Sequence, residues 1–97
     1  FSFGSVEADF ESGIVKRAGQ PVPLAAKEMQ LLRYLVENRG KVLPREEILA
    51  DVWEYQSGVS SRTIDVHVAW LRQKLEDNPA SPRFIHTVRG TGYRFGE

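Results

Sequence analysis

The sequence predicts an α+β domain: a small antiparallel sheet, then three helices, then a terminal hairpin. Three observations predict it. Apolar residues recur at helical spacing in three middle segments. Short β-branched and aromatic runs, cut by glycine and proline turns, occupy both ends. The chain has 97 residues, enough for one modest core. Residues 1–97 are read as one domain, with the sheet over 1–24, the helical unit over 25–78 and the hairpin over 84–95.

Residues 1–18 read as two short strands. Phe3, Val6 and Phe10 supply apolar weight, Glu11-Ser12-Gly13 supplies a turn, and Ile14 and Val15 begin the second strand. Ala18-Gly19-Gln20 marks the next turn. Pro21-Val22-Pro23-Leu24 is a short extended piece, and its prolines confine it to a sheet edge. The expected role of this sheet is scaffold.

A first helix is expected over 25–38, with Ala25, Met29, Leu32, Leu35 and Val36 on its apolar face. Gly40 is placed as the left-handed residue that ends it. Residues 41–43 are short and extended. Pro44 opens a second helix over 45–54; Glu46 and Glu47 stand in its first turn, where the helix dipole favours negative charge. Ile48, Leu49, Val52 and Trp53 form its buried side. Gln56-Ser57-Gly58 marks a loop over 55–59.

The third helix, over 60–77, is the element around which the rest is arranged. At about 100° per residue, Ile64, Val68, Leu71 and Leu75 fall on one stripe that can be buried. Arg62, Val66, Ala69 and Gln73 fall opposite, with Trp70 beside them. A face that meets only water rarely combines Val, Ala and Trp. Ser60 or Ser61 caps this helix, and Pro79 and Pro82 prevent its continuing. Strands follow at 84–88 and 93–95. The turn between them, Arg89-Gly90-Thr91-Gly92, has two glycines available for positive φ. Two helices joined by a loop and followed by a hairpin make a winged helix-turn-helix. Its second helix would enter a major groove, and the hairpin would be the wing.

Composition removes several function classes. There is no cysteine, so disulfides and thiolate metal sites are excluded. No apolar run is long enough to span a membrane, and no signal-peptide pattern is visible. The chain begins at Phe1 rather than Met, so a piece of a longer protein is expected. Formal net charge is zero, but its distribution is uneven. Residues 1–59 hold 7 Lys/Arg against 9 Asp/Glu, and residues 60–97 hold 6 against 4. A locally basic surface on a neutral domain is compatible with DNA. It predicts weak non-specific binding, because few phosphates are neutralised.

Each candidate residue has a functional and an ordinary reading. Arg62 contacts a phosphate at the groove edge, or pairs with Asp65 three residues on. The Thr63 hydroxyl donates to phosphate, or serves the helix start. Val66 and Ala69 meet thymine methyl groups in a major groove. Trp70 lies on sugar and base edges, or folds against Lys74 or the wing. Arg72 reaches a phosphate, or bridges to Glu76 at i+4. Lys74 is read chiefly as part of a solvated face. Arg89, at the hairpin tip, reaches a narrow minor groove, or stands free. Enzyme signatures are missing. His67 and His86 lack metal-like spacing, and His67 is read as structural. Gly90-Thr91-Gly92 is too short for a phosphate loop and no helix follows it. No serine sits in a nucleophile elbow. The chain is therefore read as a non-enzyme without metal or cofactor.

Two strings, Arg62-Thr63-Ile64-Asp65-Val66-His67-Val68 and Thr87-Val88-Arg89-Gly90-Thr91-Gly92-Tyr93-Arg94-Phe95, resemble the C-terminal effector domain of OmpR/PhoB-type response regulators. Residues 24–32, 45–53 and 71–75 fit as well, so the resemblance covers nearly the whole chain. It implies a bacterial two-component transcription factor acting in a phosphorelay in the cytoplasm. A receiver domain that takes the phosphoryl group would precede this segment and is absent from it. The resemblance further implies a head-to-tail homodimer on direct-repeat half-sites of double-stranded DNA. The loop formed by Glu54, Tyr55, Gln56, Ser57, Gly58 and Val59 would touch RNA polymerase. By position, Arg62, Thr63 and the Trp53 indole match phosphate contacts. Val66, Ala69, Trp70 and Arg72 match DNA-facing positions. Thr87 matches a wing backbone contact, Arg89 the minor-groove arginine, and Tyr93 a phosphate contact through its hydroxyl.

There are departures. Many members have basic residues where this chain has Ala69 and Trp70, which points away from guanine readout and toward weaker or thymine-rich recognition. Ala25 replaces a usual capping Thr, so half of a capping box is lost. Pro44 replaces a usual Ser. The competing reading is a winged helix used mainly for protein docking, favoured by exposed Val66, Ala69 and Trp70 on a neutral domain.

Overall fold

The computed structural model describes all residues, Phe1–Glu97. The chain opens with four antiparallel strands in sequence order: β1 (Ser2–Phe3), β2 (Val6–Asp9), β3 (Ile14–Arg17) and β4 (Gln20–Pro21). The sequence predicts two strands and an edge piece, so β1 is an addition. It exists because Gly4-Ser5 is a two-residue turn, with Gly4 at φ +55°, that folds Phe3 back onto Val6. The Pro21 edge expectation holds, since β4 is the outermost strand. Alternation sets the buried side: Val6 and Ala8 point inward, Glu7 and Asp9 outward.

The helix α1 (Ala26–Glu37) follows. Its N-cap Ala25 has extended backbone but no side-chain acceptor; Glu28 Oε1 accepts the Ala25 N–H at 2.7 Å. Half of the capping box therefore stands, as the sequence implies. Leu31, Leu32, Leu35 and Val36 are buried. Gly40 is left-handed at φ +86° and donates its N–H to the Phe95 carbonyl oxygen, which docks the end of α1 on the hairpin.

Strand β5 (Leu43–Pro44) leads directly into α2 (Arg45–Trp53), and α3 (Ser61–Leu75) comes after a loop. The hairpin is β6 (Ile85–Val88) and β7 (Gly92–Phe95). The three-stranded sheet has the order β5-β7-β6, antiparallel throughout. Its central pairing requires a glycine. A Cβ on Gly92 would stand 2.0 Å from the Leu43 carbonyl oxygen, so only a residue without a side chain lets β5 and β7 meet. The sequence assigns Gly92 to a positive-φ turn; in the structure only Gly90, at +74°, has that conformation. Gly92 is there for space.

One apolar cluster joins all of this. Phe3 meets the rings of Phe84 and Phe95 edge-on, each at 5.0 Å, tying the first sheet to the wing base. Ile64, Val68, Leu71 and Leu75 of α3 are buried against α1 and α2. Two carboxylates are buried with them, each fully partnered. Glu28 receives the Lys74 ammonium at 2.7 Å. Glu76, just past α3, accepts the backbone N–H groups of Arg83, Phe84 and Ile85. No buried side-chain nitrogen or oxygen lacks a partner. No helix is long and apolar enough to cross a membrane.

Candidate nucleic-acid interface

The face of α3 opposite the buried stripe is open. Val66 is 38% and Trp70 46% exposed, and Arg62, Ala69 and Gln73 are also exposed. The two faces separate as the periodicity predicts. The larger surface concavities are lined by other residues, on the first sheet, between α1 and α2, and beside Phe1, Arg39 and Phe95. None of these concavities is lined by Arg62, Val66, Ala69, Trp70 or Gln73.

The helix start differs from expectation. Ser60 occupies the N-cap with extended backbone, but no side chain caps the helix; the Ser60 carbonyl accepts the Thr63 N–H at 3.0 Å. Arg62 does not pair with Asp65. Asp65 instead accepts Arg45 Nε at 2.8 Å and the Tyr93 hydroxyl. Arg62 is left without an ionic partner and exposed. The Thr63 carbonyl accepts from His67 Nδ1 at 2.8 Å, which puts the imidazole proton on that nitrogen. His67 stands between two indoles, Trp53 edge-on at 5.0 Å and Trp70 at 5.0 Å. Its structural reading fits this placement. Trp70 lies beside the His67 ring, and the Lys74 ammonium is held by Glu28 and the Pro23 carbonyl.

Trp53 is 3% exposed, so its ring belongs to the core. Its indole nitrogen donates to nothing in the chain and is not enclosed, because no buried nitrogen is unpartnered. Only that edge can meet a ligand.

Two expected contact residues are occupied elsewhere. Arg72 neither projects freely nor bridges to Glu76. Its Nε and Nη2 donate to the Ile85 carbonyl oxygen at 3.0 and 2.8 Å, and Nη2 donates to Thr87 Oγ1 at 2.8 Å. Burial pulls this guanidinium below its ordinary pKa, against the attraction of Tyr93 and Glu76. Tyr93 is 4% exposed and its hydroxyl proton goes to Asp65, so it is not available as a free phosphate donor. Burial first, then the Asp65 hydrogen bond, push the Tyr93 phenol above its usual value.

Arg45 is the participant that the sequence reading missed. It lies over the Tyr93 ring at 5.3 Å while holding Asp65. The Asp65 hydrogen bond raises its pKa. Burial would raise the Asp65 carboxyl; hydrogen bonds from Tyr93 and Arg45 outweigh it and hold that carboxyl below the usual range. Nothing local announces this link, since Arg45 and Asp65 are 20 positions apart.

The wing presents Arg89, exposed beside left-handed Gly90, with Thr87 exposed at the base. In the loop before α3, Glu54 and Tyr55 are both left-handed at φ +53°, and Tyr55 is 65% exposed. Glu54, Gln56, Ser57 and Gly58 are exposed as well, while Val59 packs on the core. No cluster of His, Asp and Glu has a metal-holding arrangement.

Known proteins place this arrangement. A family described as transcriptional regulatory protein, C terminal, matches residues 19–95. The sensory transduction protein RegX3 of Mycolicibacterium smegmatis is 43% identical over 91 residues, which is 94% of this chain and 40% of that protein. Among solved structures, the Thermotoga maritima response regulator DrrB, an OmpR/PhoB homolog, superimposes with a TM-score of 0.90 at 37% identity, covering 100% of this chain and 44% of that one. The Klebsiella pneumoniae RstA DNA-binding domain, solved in complex with the RstA box, gives 0.84 at 33% identity over 98% of this chain and 94% of that one. The chain thus spans about two-fifths of the curated relative's length. With its helix, loop, helix and wing in the same order and the family match running from the first sheet to the last strand, the chain belongs to the OmpR/PhoB-type C-terminal domains of transcriptional regulatory proteins.

Proposed function

We propose that this chain is the sequence-specific DNA-binding effector domain of a bacterial two-component response regulator. In this reading α3 enters the major groove and the β6–β7 wing lies along the adjacent minor groove. The single observation behind it is the exposed α3 ridge, apolar in its middle, with unpartnered Arg62 at one end and unpartnered Arg89 on the wing. A ridge of that kind fits a groove better than it fits a small molecule. The RstA domain, solved with its box, supports DNA as the partner.

Residue roles follow from where each side chain stands. Arg62, Thr63 and the Trp53 indole edge contact phosphates. Val66, Ala69 and Trp70 face base edges, and Arg89 enters the minor groove. Thr87, exposed at the base of the wing, contacts the DNA backbone while its Oγ1 accepts from Arg72. Arg72, Arg45, Asp65 and Tyr93 position these elements from behind. The role is binding, with no catalysis and no cofactor. The finer expectations belong to the same proposal: a cytoplasmic regulator, a receiver domain elsewhere in the protein, a homodimer on direct-repeat half-sites, and RNA polymerase contact through residues 54–59.

A fluorescence-anisotropy salt titration on selected and random duplexes tests this. Affinity falls steeply as salt rises. Arg62→Ala and Arg89→Ala each reduce the slope by about one. Trp70→Ala changes sequence preference and leaves the slope nearly unaltered. Affinity indifferent to both salt and sequence would overturn the proposal and favour a protein-docking role for the same ridge.

A further inference from the structure

The middle of the α3 ridge has no free charge. Arg72, on the flank, is bound to Ile85 and Thr87. Lys74 is bound to Glu28 and the Pro23 carbonyl. Between Arg62 and the helix end, the exposed positions are Val66, Ala69, Trp70 and Gln73. Val66 and Ala69 have no hydrogen-bonding side chain, and Trp70 can only donate; Gln73, which can do both, stands a turn further along, toward the helix end. Major-groove edges differ in donors, in acceptors and in the C5-methyl group of thymine. The stretch formed by Val66, Ala69 and Trp70, with a single donor and no acceptor, can distinguish base pairs there mainly by that methyl.

We infer that α3 reads the bases beneath Val66, Ala69 and Trp70 through their C5-methyl groups, so that 5-methylcytosine substitutes for thymine at those positions. The inference rests on α3 being the major-groove element, and it makes a chemical modification of DNA part of the recognised signal. At these positions the apolar ridge responds to the methyl in either base pair.

The test uses a duplex selected by this chain from a random pool and then resynthesised. Each thymine is replaced singly by deoxyuridine, which removes the methyl and nothing else. Separately, each is replaced by cytosine and by 5-methylcytosine, opposite guanine. Under α3, deoxyuridine raises Kd about fourfold per methyl, cytosine raises it at least as much, and 5-methylcytosine restores most of the loss. In Val66→Ala, whose side chain is outside the core, the thymine-to-deoxyuridine ratio shrinks at one position only. This separates a protein contact from a change in DNA shape. Three results overturn the inference while leaving DNA binding intact: deoxyuridine within twofold of thymine at every position, 5-methylcytosine no better than cytosine, or a selected half-site without thymine under the helix. A chain that selects no duplex at all overturns the inference together with the proposed function.

Discussion

Arg72 and Ile85, 13 positions apart, are joined by two hydrogen bonds from one guanidinium to one carbonyl oxygen, at 3.0 and 2.8 Å. They tie α3 to the first wing strand. In the proposed reading, where α3 and the wing meet adjacent grooves, this pair sets the helix-to-wing distance before binding.

Arg72→Ala therefore lowers stability by about 2 kcal/mol, the range for hydrogen bonds to a charged group. Amide exchange in Ile85–Val88 quickens beyond that global loss. Arg72→Lys restores only part, because an ammonium cannot reproduce the fork that spans Ile85 and Thr87. Urea unfolding and hydrogen exchange check both, and unchanged wing protection in Arg72→Ala would remove the positioning role.

Asp65 gives the domain an acid-sensitive contact. Burial would raise its carboxyl pKa, but the Tyr93 and Arg45 hydrogen bonds prevail and the folded value lies below 3.8. The unfolded chain then binds more protons in that range. The contribution is complete above about pH 4 and is lost as pH falls through the folded value. Asp65→Asn is less stable than the natural chain at pH 7, and the gap narrows below pH 4. Urea midpoints across pH 2.5–7 measure it; a constant gap would show that the carboxylate charge is not involved.

Two glycines of the wing separate space from backbone conformation. A Cβ at Gly92 meets the Leu43 carbonyl oxygen at 2.0 Å, whereas one at Gly90 meets nothing within 4 Å but sits at φ +74°. Gly90→Ala costs about 1–2 kcal/mol of conformational strain. Gly92→Ala costs about 3 kcal/mol or more, because strand β5 must move away. Thermal unfolding followed by circular dichroism ranks them, and equal losses would contradict the close approach.

The N-cap of α1 can be improved. Ala25 already has extended capping backbone and is exposed, and Glu28 already bonds its N–H. Ala25→Ser supplies the missing acceptor and completes the box, for a gain of about 1 kcal/mol. In a domain of this size that is a rise in Tm of about 4–8 °C. No rise would mean that the first turn of α1 has no unmet donor.

Local pattern and long-range contact divide what could be read beforehand. The three helices, the two faces of α3, the edge position of Pro21 and the wing all follow from residue order alone. Helical periodicity and turn chemistry act over a few residues, and those residues are adjacent in the string. Strand β1 was missed although Gly4-Ser5 marks its turn, because a strand of two residues has too little pattern of its own.

The unpartnered state of Arg62, and the engagement of Arg72, Lys74 and Tyr93, were decided only by folding. Arg72, Lys74 and Tyr93 each find partners between 13 and 51 positions away, and Arg62 is unpartnered because Asp65 is taken by Arg45 and Tyr93. A free arginine and a tethered one look alike in sequence, since charge says what a side chain can bind and only packing says what stands beside it. The same holds for Gly92: the string shows a glycine in a turn, and the Leu43 carbonyl that demands it arrives from another part of the chain.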